Sequence, residues 1–418
     1  MAYFSTTTLR DDYHNAIVDW QQRHFRELDL LTKNWGNAFP GQTQFQLCAK
    51  IGAQKSEVVE HGRFKGEKKF ERASELRGNM FYQARGIIKA QCSTEFGSIQ
   101  QHRMTLDSAI SDESKYAVLR IMAEELRHAY QMFWILDSDA SWKREGHTDV
   151  AKETMDELLA METGQHVLDA FNIDFVTFLD NIVFAAVIDL VGKYQLDMQR
   201  VFSYAPVARS MGPMYSEEGF HIGSGKRILR EISVSAARGA GDVSLGDVQR
   251  CLNQWVPRGL EMFGNEMGGF VNVELGFKDR TNGQAQQEYF EEVSHIVDDI
   301  NASILRDRVP TLEKADAIDA ARAIVAEGET RHGVKRSELL YLPARSFFRM
   351  RGPETIVFRT NDVHGQPLGA GGANLAWPEY ETYLATVLPT HFLKSREYAK
   401  YRDRALLYNG GAIGSGGW

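Results

Sequence analysis

Three cysteines among 418 residues, with no Cys-x-x-Cys pair, leave this sequence without a thiolate metal site or a disulfide framework. Cys48, Cys92 and Cys251 are read as reduced thiols, which places the protein in the cytoplasm. No apolar run approaches the roughly 18 to 20 residues of a membrane-spanning helix. The opening MAYFSTTTLRDD has neither the basic nor the apolar region of a secretory signal. Positive charge is in deficit: 48 Lys and Arg against 56 Asp and Glu give a formal net charge of −8, which argues against general nucleic-acid binding. No Gly-x-Gly-x-x-Gly fingerprint follows a strand, and no cysteine cluster suits an iron–sulfur centre. Redox chemistry here would therefore take its electrons from a separate protein. Internal repeats and low-complexity linkers are missing too.

Helical periodicity is abundant. A helix is expected over Asp11–Thr32, then a loop around NWGNAFPGQTQ. Four long segments have apolar residues every three or four positions: FYQARGIIKAQCSTEFGSIQQH, SKYAVLRIMAEELRHAYQMFWIL, FVTFLDNIVFAAVIDLVGKYQLDMQRVF and APVARSMGPMYSEEGFHIGSGKRILREI. Helices follow in DVQRCLNQWVPRGLEMFGNEM, EYFEEVSHIVDDINASIL and DAARAIVAEGETRH. PETIVFRTNDVHGQPLGAGG reads as a short strand with loops, and YNGGAIGSGGW as a glycine-rich tail. The chain divides into an N-terminal helical and loop segment (1–78), a helical core (79–300) and a mixed C-terminal extension (301–418). The fold class is all-α, a helical bundle.

The segment EELRHAYQM sets two glutamates, an arginine and a histidine on a half-apolar helix, a costly arrangement unless something compensates the charge. Residues three apart share a helix face, so Glu125 and His128 point to one spot, as do Glu218 and His221. Two further Glu-x-x-His pairs, Glu292/His295 and Glu329/His332, lie in polar surroundings and read as solvated faces. Glu95 precedes the first apolar pair by one helix, and Asp189, inside FAAVIDLVGKY, precedes the second in the same way. Two Glu-x-x-His helices with one carboxylate from each of two others form the ligand set of ferritin-like di-metal bundles. Glu95, Glu125, Asp189 and Glu218 bring four negative charges that two divalent ions would neutralise, and carboxylates with imidazoles suit iron or manganese better than zinc.

These stretches resemble a known family. KAQCSTEFGSIQQHR, AEELRHAYQMFWIL and AVIDLVGKYQLDMQRVFSYAPVARSMGPMYSEEGFHIGSGKRILREI are similar to the oxygenase components of benzoyl-CoA 2,3-epoxidases, relatives of the catalytic subunits of phenylacetyl-CoA epoxidases. A weaker likeness runs through EMFGNEMGGFVNVELGFKDRTNGQAQQEYFEEV. The resemblance covers about residues 79 to 300 and implies a ferritin-like fold with two iron ions on Glu95, Glu125, His128, Asp189, Glu218 and His221. It also implies Gln91 close to the metals as a catalytic residue, and Asp rather than Glu at position 189 is itself a family trait. The implied activity is that of a di-iron monooxygenase of aromatic catabolism: O2 is the co-substrate, the ring of an aromatic acyl-CoA is epoxidised, and a reductase component supplies electrons. Manganese is the alternative metal, a CoA thioester the expected small-molecule ligand, and a homodimer a compatible assembly. The chain is shorter than a typical member, and its last hundred residues align poorly. It reads SEEGFH where the family usually has a second histidine, so Gly219 and Phe220 are expected to reshape the wall beside the site.

Arg127 falls on a different face from the ligands and is read either as the partner of a carboxylate or as a structural ion pair. Glu124 and Glu217 are read as ion-pair or capping residues, and Tyr130 and Tyr194 as core tyrosines with bonded hydroxyls. The run HGRFKGEKKFER (61–72) is taken as solvated, with CoA-phosphate binding as the lesser reading. Two rival functions remain: a di-iron or Mn/Fe oxygenase acting on an amine or non-CoA aromatic, and a non-catalytic scaffold subunit, which would be expected to have lost ligands.

Overall fold

The helical periodicity is realised almost everywhere. A computed structural model describes residues 4–147, 149–264, 266–350 and 359–407. They form an all-α protein with one two-stranded antiparallel sheet, β1 (Ser5–Thr7) on β2 (Ala49–Ile51). The helices are α1 (Asp11–His24), α2 (Leu28–Lys33), α3 (Trp35–Ala38), α4 (Met80–Met104), α5 (Asp112–Asp137), α6 (Val150–Leu159), α7 (Phe178–Val187) and α8 (Asp189–Gln199). They continue with α9 (Ala205–Ala237), α10 (Leu245–Met262), α11 (Glu266–Glu274), α12 (Asn282–Arg308), α13 (Lys314–Glu327), α14 (Trp377–Val387), α15 (Thr390–Leu393) and α16 (Arg396–Leu407). No helix among the described residues is long and apolar enough to cross a membrane. The strand expected over 353–358 and the glycine-rich tail lie outside the described residues.

Several expected helices are broken or end early. The N-terminal one stops at His24, where Phe25 leaves helical geometry (φ −147°) and its carbonyl accepts from the buried Gln21 side chain at 2.7 Å. The segment over 175–202 is split at Ile188, whose carbonyl takes a short i+3 turn bond from Val191 (2.8 Å), so Asp189 starts a new helix.

The chain forms two compact units, each built from several segments: Met1–Phe178, Gly192–His221 and Met267–Thr281 in the first, and Leu179–Val191, Ile222–Glu266 and Asn282–Trp418 in the second. In the first, α5 starts at a Ser111/Ser114 capping box with Asp112 and Glu113 in its first turn, where acids favour the helix dipole. It runs antiparallel to α4, as the order of contacts shows: Cys92 Sγ meets Ala129 O at 3.7 Å, and Ser98 Oγ meets Glu125 Oε1 at 3.5 Å. Pro213 sits inside α9 and cannot donate to Arg209 O. That carbonyl instead accepts Gly52 N–H at 2.9 Å, just past β2. A Cβ at position 52 would stand 3.0 Å from Pro213 Cδ, so the smallest residue fits the crossing.

In the second unit the core gathers around Asp180, fully buried, which accepts from Trp255 Nε1 (3.3 Å) and pairs with His391 Nε2 (3.1 Å). Arg258, also buried, forms a bidentate pair with Glu261 (2.7 and 2.8 Å) and donates to Phe348 O. Phe348, Tyr380, Phe392, Tyr398 and Tyr401 pack edge-on or tilted nearby. α7 and α9 approach closely at Gly225, where a Cβ would stand 2.6 Å from Ala186 N.

Candidate metal centre

Five of the six expected ligands meet within the first unit. Glu95 comes from α4, Glu125 and His128 from α5, Glu218 and His221 from α9, and all are buried. The i,i+3 spacing turns each glutamate and its histidine to one side. His128 Nδ1 lies 3.6 Å from Glu95 Oε2, from Glu125 Oε2 and from Glu218 Oε1. His221 Nδ1 lies 3.6 Å from Glu125 Oε1 and 3.3 Å from Glu218 Oε2. Glu125 and Glu218 thus each face both imidazoles, whose ring centroids are 5.8 Å apart. Glu95, Glu125 and His128 offer atoms within 4.8 Å of one another, close enough for one metal ion.

The sixth, Asp189, is buried at the first position of α8. From Gly192 onward α8 belongs to the first unit, and a Cβ at Gly192 would stand 3.7 Å from Glu218 Oε1. Asp189 and Gly192 are three apart on one helix and so share a face. Gln91 is half-buried, one turn before Glu95 on α4.

The far side of each imidazole is held by the acid that precedes the Glu-x-x-His glutamate of the other motif. His128 Nε2 lies 2.9 Å from Glu217 Oε2, and His221 Nε2 lies 3.0 Å from Glu124 Oε2. Glu217 is gripped by Arg127, itself 1% exposed, and by Lys50 Nζ at 2.5 Å. Glu124 pairs with Arg120 Nε at 3.0 Å. The sequence left Arg127 open between orienting a carboxylate and a structural ion pair, and Glu124 and Glu217 between ion pairs and caps; the three lie in ion pairs, Arg127 on Glu217 and Arg120 on Glu124. Sequence reading missed the crosswise backing, although an acid precedes the ligand glutamate in both motifs and could have signalled it. Nothing in the sequence pointed to Lys50, whereas the i,i+4 spacing of Arg120 and Glu124 on α5 could have signalled that pair.

With Nε2–H directed at a glutamate, Nδ1 is the nitrogen that each ring would turn to a metal once its proton is displaced. His128 Nδ1, His221 Nδ1 and Glu218 Oε2 are buried and make no hydrogen bond. Buried polar atoms are rarely left so, and a cation among these carboxylates would satisfy all three. The residues therefore fit a metal. The protonation pattern fits as well. Burial pushes the Glu95 carboxyl well above the usual range, and the Glu125 charge adds to the rise. Burial also raises Glu218. Glu125 goes down in spite of its burial, to about 2, because the neighbouring Glu95 carboxyl and the His128 and His221 imidazoles favour its charged form. Burial works against charge on both histidines, but their carboxylate neighbours hold them well above the usual imidazole value. Protons thus do in the metal-free cluster what bound cations would do.

The other singled-out residues fall elsewhere. Glu292 pairs with Lys226 at 2.8 Å and His295 is exposed. Glu329 and His332 are exposed, and His332 sits in a turn at φ 53° rather than on a helix. Gly219 is exposed with open space beyond it, and half-buried Phe220 carries Arg120, the partner of Glu124, over its ring at 3.8 Å. Tyr130 is buried and its hydroxyl accepts from Leu9 N at 2.8 Å, while Tyr194 is half-buried. In the basic run Arg63, Lys65, Lys68 and Arg72 are exposed, whereas Lys69 is buried. All three cysteines are free.

No family model matches the chain. Over 256 residues it is 24% identical to benzoyl-CoA oxygenase component B of Aromatoleum evansii, a stretch that covers 58% of this chain and 52% of that protein. The chain spans about half the length of this relative.

Proposed function

We propose that the chain is the oxygenase component of a multi-component di-iron monooxygenase, built as a ferritin-like bundle, which epoxidises the ring of a benzoyl-CoA-like aromatic thioester. The observation that carries the reading is the pair of orphaned Nδ1 atoms on His128 and His221, both facing the shared carboxylates of Glu125 and Glu218. The name of the relative, an oxygenase component B, supports the reaction class and the need for other components.

In this reading Glu95, Glu125, His128, Asp189, Glu218 and His221 hold two iron ions. Two ferrous ions bound there would supply O2 activation, one oxygen atom entering the substrate and the other leaving as water. The chain's own residues do the rest. Glu124 and Glu217 hold the imidazoles in the tautomer that presents Nδ1, and burial of the cluster keeps bulk water out. Gln91, on the Glu95 face of α4, is the proposed polar contact for the reacting group. A reductase supplies electrons. The free cysteines suit a reducing cytoplasm.

Metal analysis of anaerobically purified protein tests the core of this reading. About two irons per chain are expected, falling sharply in Glu125→Ala and Glu218→Ala. Manganese in their place would redirect the assignment, and binding indifferent to both substitutions would end it. Incubation with a reductase, O2 and either benzoyl-CoA or free benzoate then separates the thioester substrate from the non-CoA alternative.

A further inference from the structure

The two ends of the cluster are alike in their near groups and unlike in what stands behind them. Behind His221, Glu124 meets one cation among the described residues, Arg120, so charge is balanced there. Behind His128, Glu217 meets two cations. Arg127 is buried at its guanidinium, and Lys50 reaches in from β2 with 24% of its side chain exposed. That end carries one positive charge in excess. Lys50 is also fixed by its backbone, whose N–H donates to Gln131 Oε1 at 2.7 Å, and Gln131 Nε2 donates to Ser210 Oγ at 2.9 Å on α9. The ammonium therefore sits on a braced strand, half-screened from water, where a charge acts over several ångströms with little damping.

We propose that Lys50 makes the two metal positions unequal, so that the ion at the His221 end binds first and the ion at the His128 end second and more weakly. This inference rests on the di-metal reading of the site. The physical reasons are two. A positive charge behind His128 repels a second divalent ion directly. A glutamate already shared between Arg127 and Lys50 is also a poorer acceptor for His128 Nε2–H, which leaves Nδ1 a weaker donor to metal. Lys50 touches no reacting group and acts through Glu217, as a positioning residue.

Anaerobic calorimetric titration with ferrous iron, on the full chain, reads the steps directly. The parent is expected to show two unequal steps, with His128→Ala losing the weaker and His221→Ala the tighter. Lys50→Met keeps the aliphatic stem and removes the charge, and it should tighten the weaker step by roughly tenfold while leaving the tighter one in place. Lys50→Arg should behave as the parent. Arg120→Met, which leaves Glu124 uncompensated, should tighten the first step and widen the gap. Thermal melts of each variant check that it is folded. Two equal steps in the parent, or a Lys50→Met isotherm that overlays it, would overturn the proposal while leaving a di-metal site intact. A parent that binds no iron would instead remove the di-metal reading itself.

Discussion

His166 is a buried imidazole that serves structure rather than chemistry. Its Nε2 lies 2.7 Å from Gln100 Oε1 and its Nδ1 lies 3.2 Å from Ser93 Oγ, while Gly97 leaves room for the ring on α4. Burial lowers its pKa to about 4. Between about pH 6.5 and 4 the unfolded chain takes up a proton that the native ring refuses, so stability falls as pH falls through that window, by up to about 3 kcal/mol. Urea unfolding at pH 7, 5 and 4 should show this slope, and His166→Gln should flatten it relative to the parent. Equal slopes in the two proteins would contradict the assignment. At the cluster, Glu124→Ala and Glu217→Ala retain all six proposed ligands yet are expected to weaken metal binding by about ten- to a hundredfold. Equilibrium dialysis with ferrous iron checks this, and unchanged affinity would reduce the two acids to surface pairing.

At the scale of elements, glycine and proline decide how closely α9 can be approached. Alanine ordinarily improves a helix interior by about 1 kcal/mol over glycine. At Gly225 the new methyl would meet Ala186 N at 2.6 Å and Ala185 C at 2.7 Å, and backbone atoms cannot step aside as a side-chain tip does. Overpacking therefore wins, and Gly225→Ala should lose about 1 to 3 kcal/mol, read as a lower urea midpoint with unchanged slope. A stabilised variant would mean that α7 and α9 are looser than this geometry. Element boundaries show what a linear reading can reach. The periodicity of α4, α5 and α9 was legible because each needs a long apolar stripe to bury. The breaks at Phe25 and Ile188 were not, since neither carries a proline or glycine. Pro213 would by rule interrupt α9, but the N–H that rescues Arg209 O comes from Gly52, far upstream.

For the whole molecule, a formal charge of −8 conceals a cluster that stores positive charge as protons. Glu95, Glu218, His128 and His221 all have pKa values shifted toward the protonated form, with burial opposing charge and neighbours deciding the histidines. Metal must displace those protons. Calorimetric titration at pH 7 in buffers of different ionisation enthalpy should therefore register net proton release on metal binding, and the metal-loaded protein should melt at higher temperature. Heat independent of buffer would show that the cluster is already deprotonated when empty. The five proposed ligands of the first unit could be singled out by spacing plus apolar context. The charge of Lys50 could not, because it reaches Glu217 only through the tertiary fold, whereas Arg120 pairs with Glu124 four residues on along α5.

The crosswise arrangement, in which Glu217 steadies His128 and Glu124 steadies His221, bears on heredity. Neither motif is a self-sufficient word that can be copied, swapped or repaired alone. A substitution in the α9 motif is felt by an imidazole on α5, and one in the α5 motif by an imidazole on α9. Compensating changes should therefore arise on the opposite helix from the original lesion. A graft of either motif into another scaffold would carry its proposed metal ligands but leave behind the group that keeps its histidine in place.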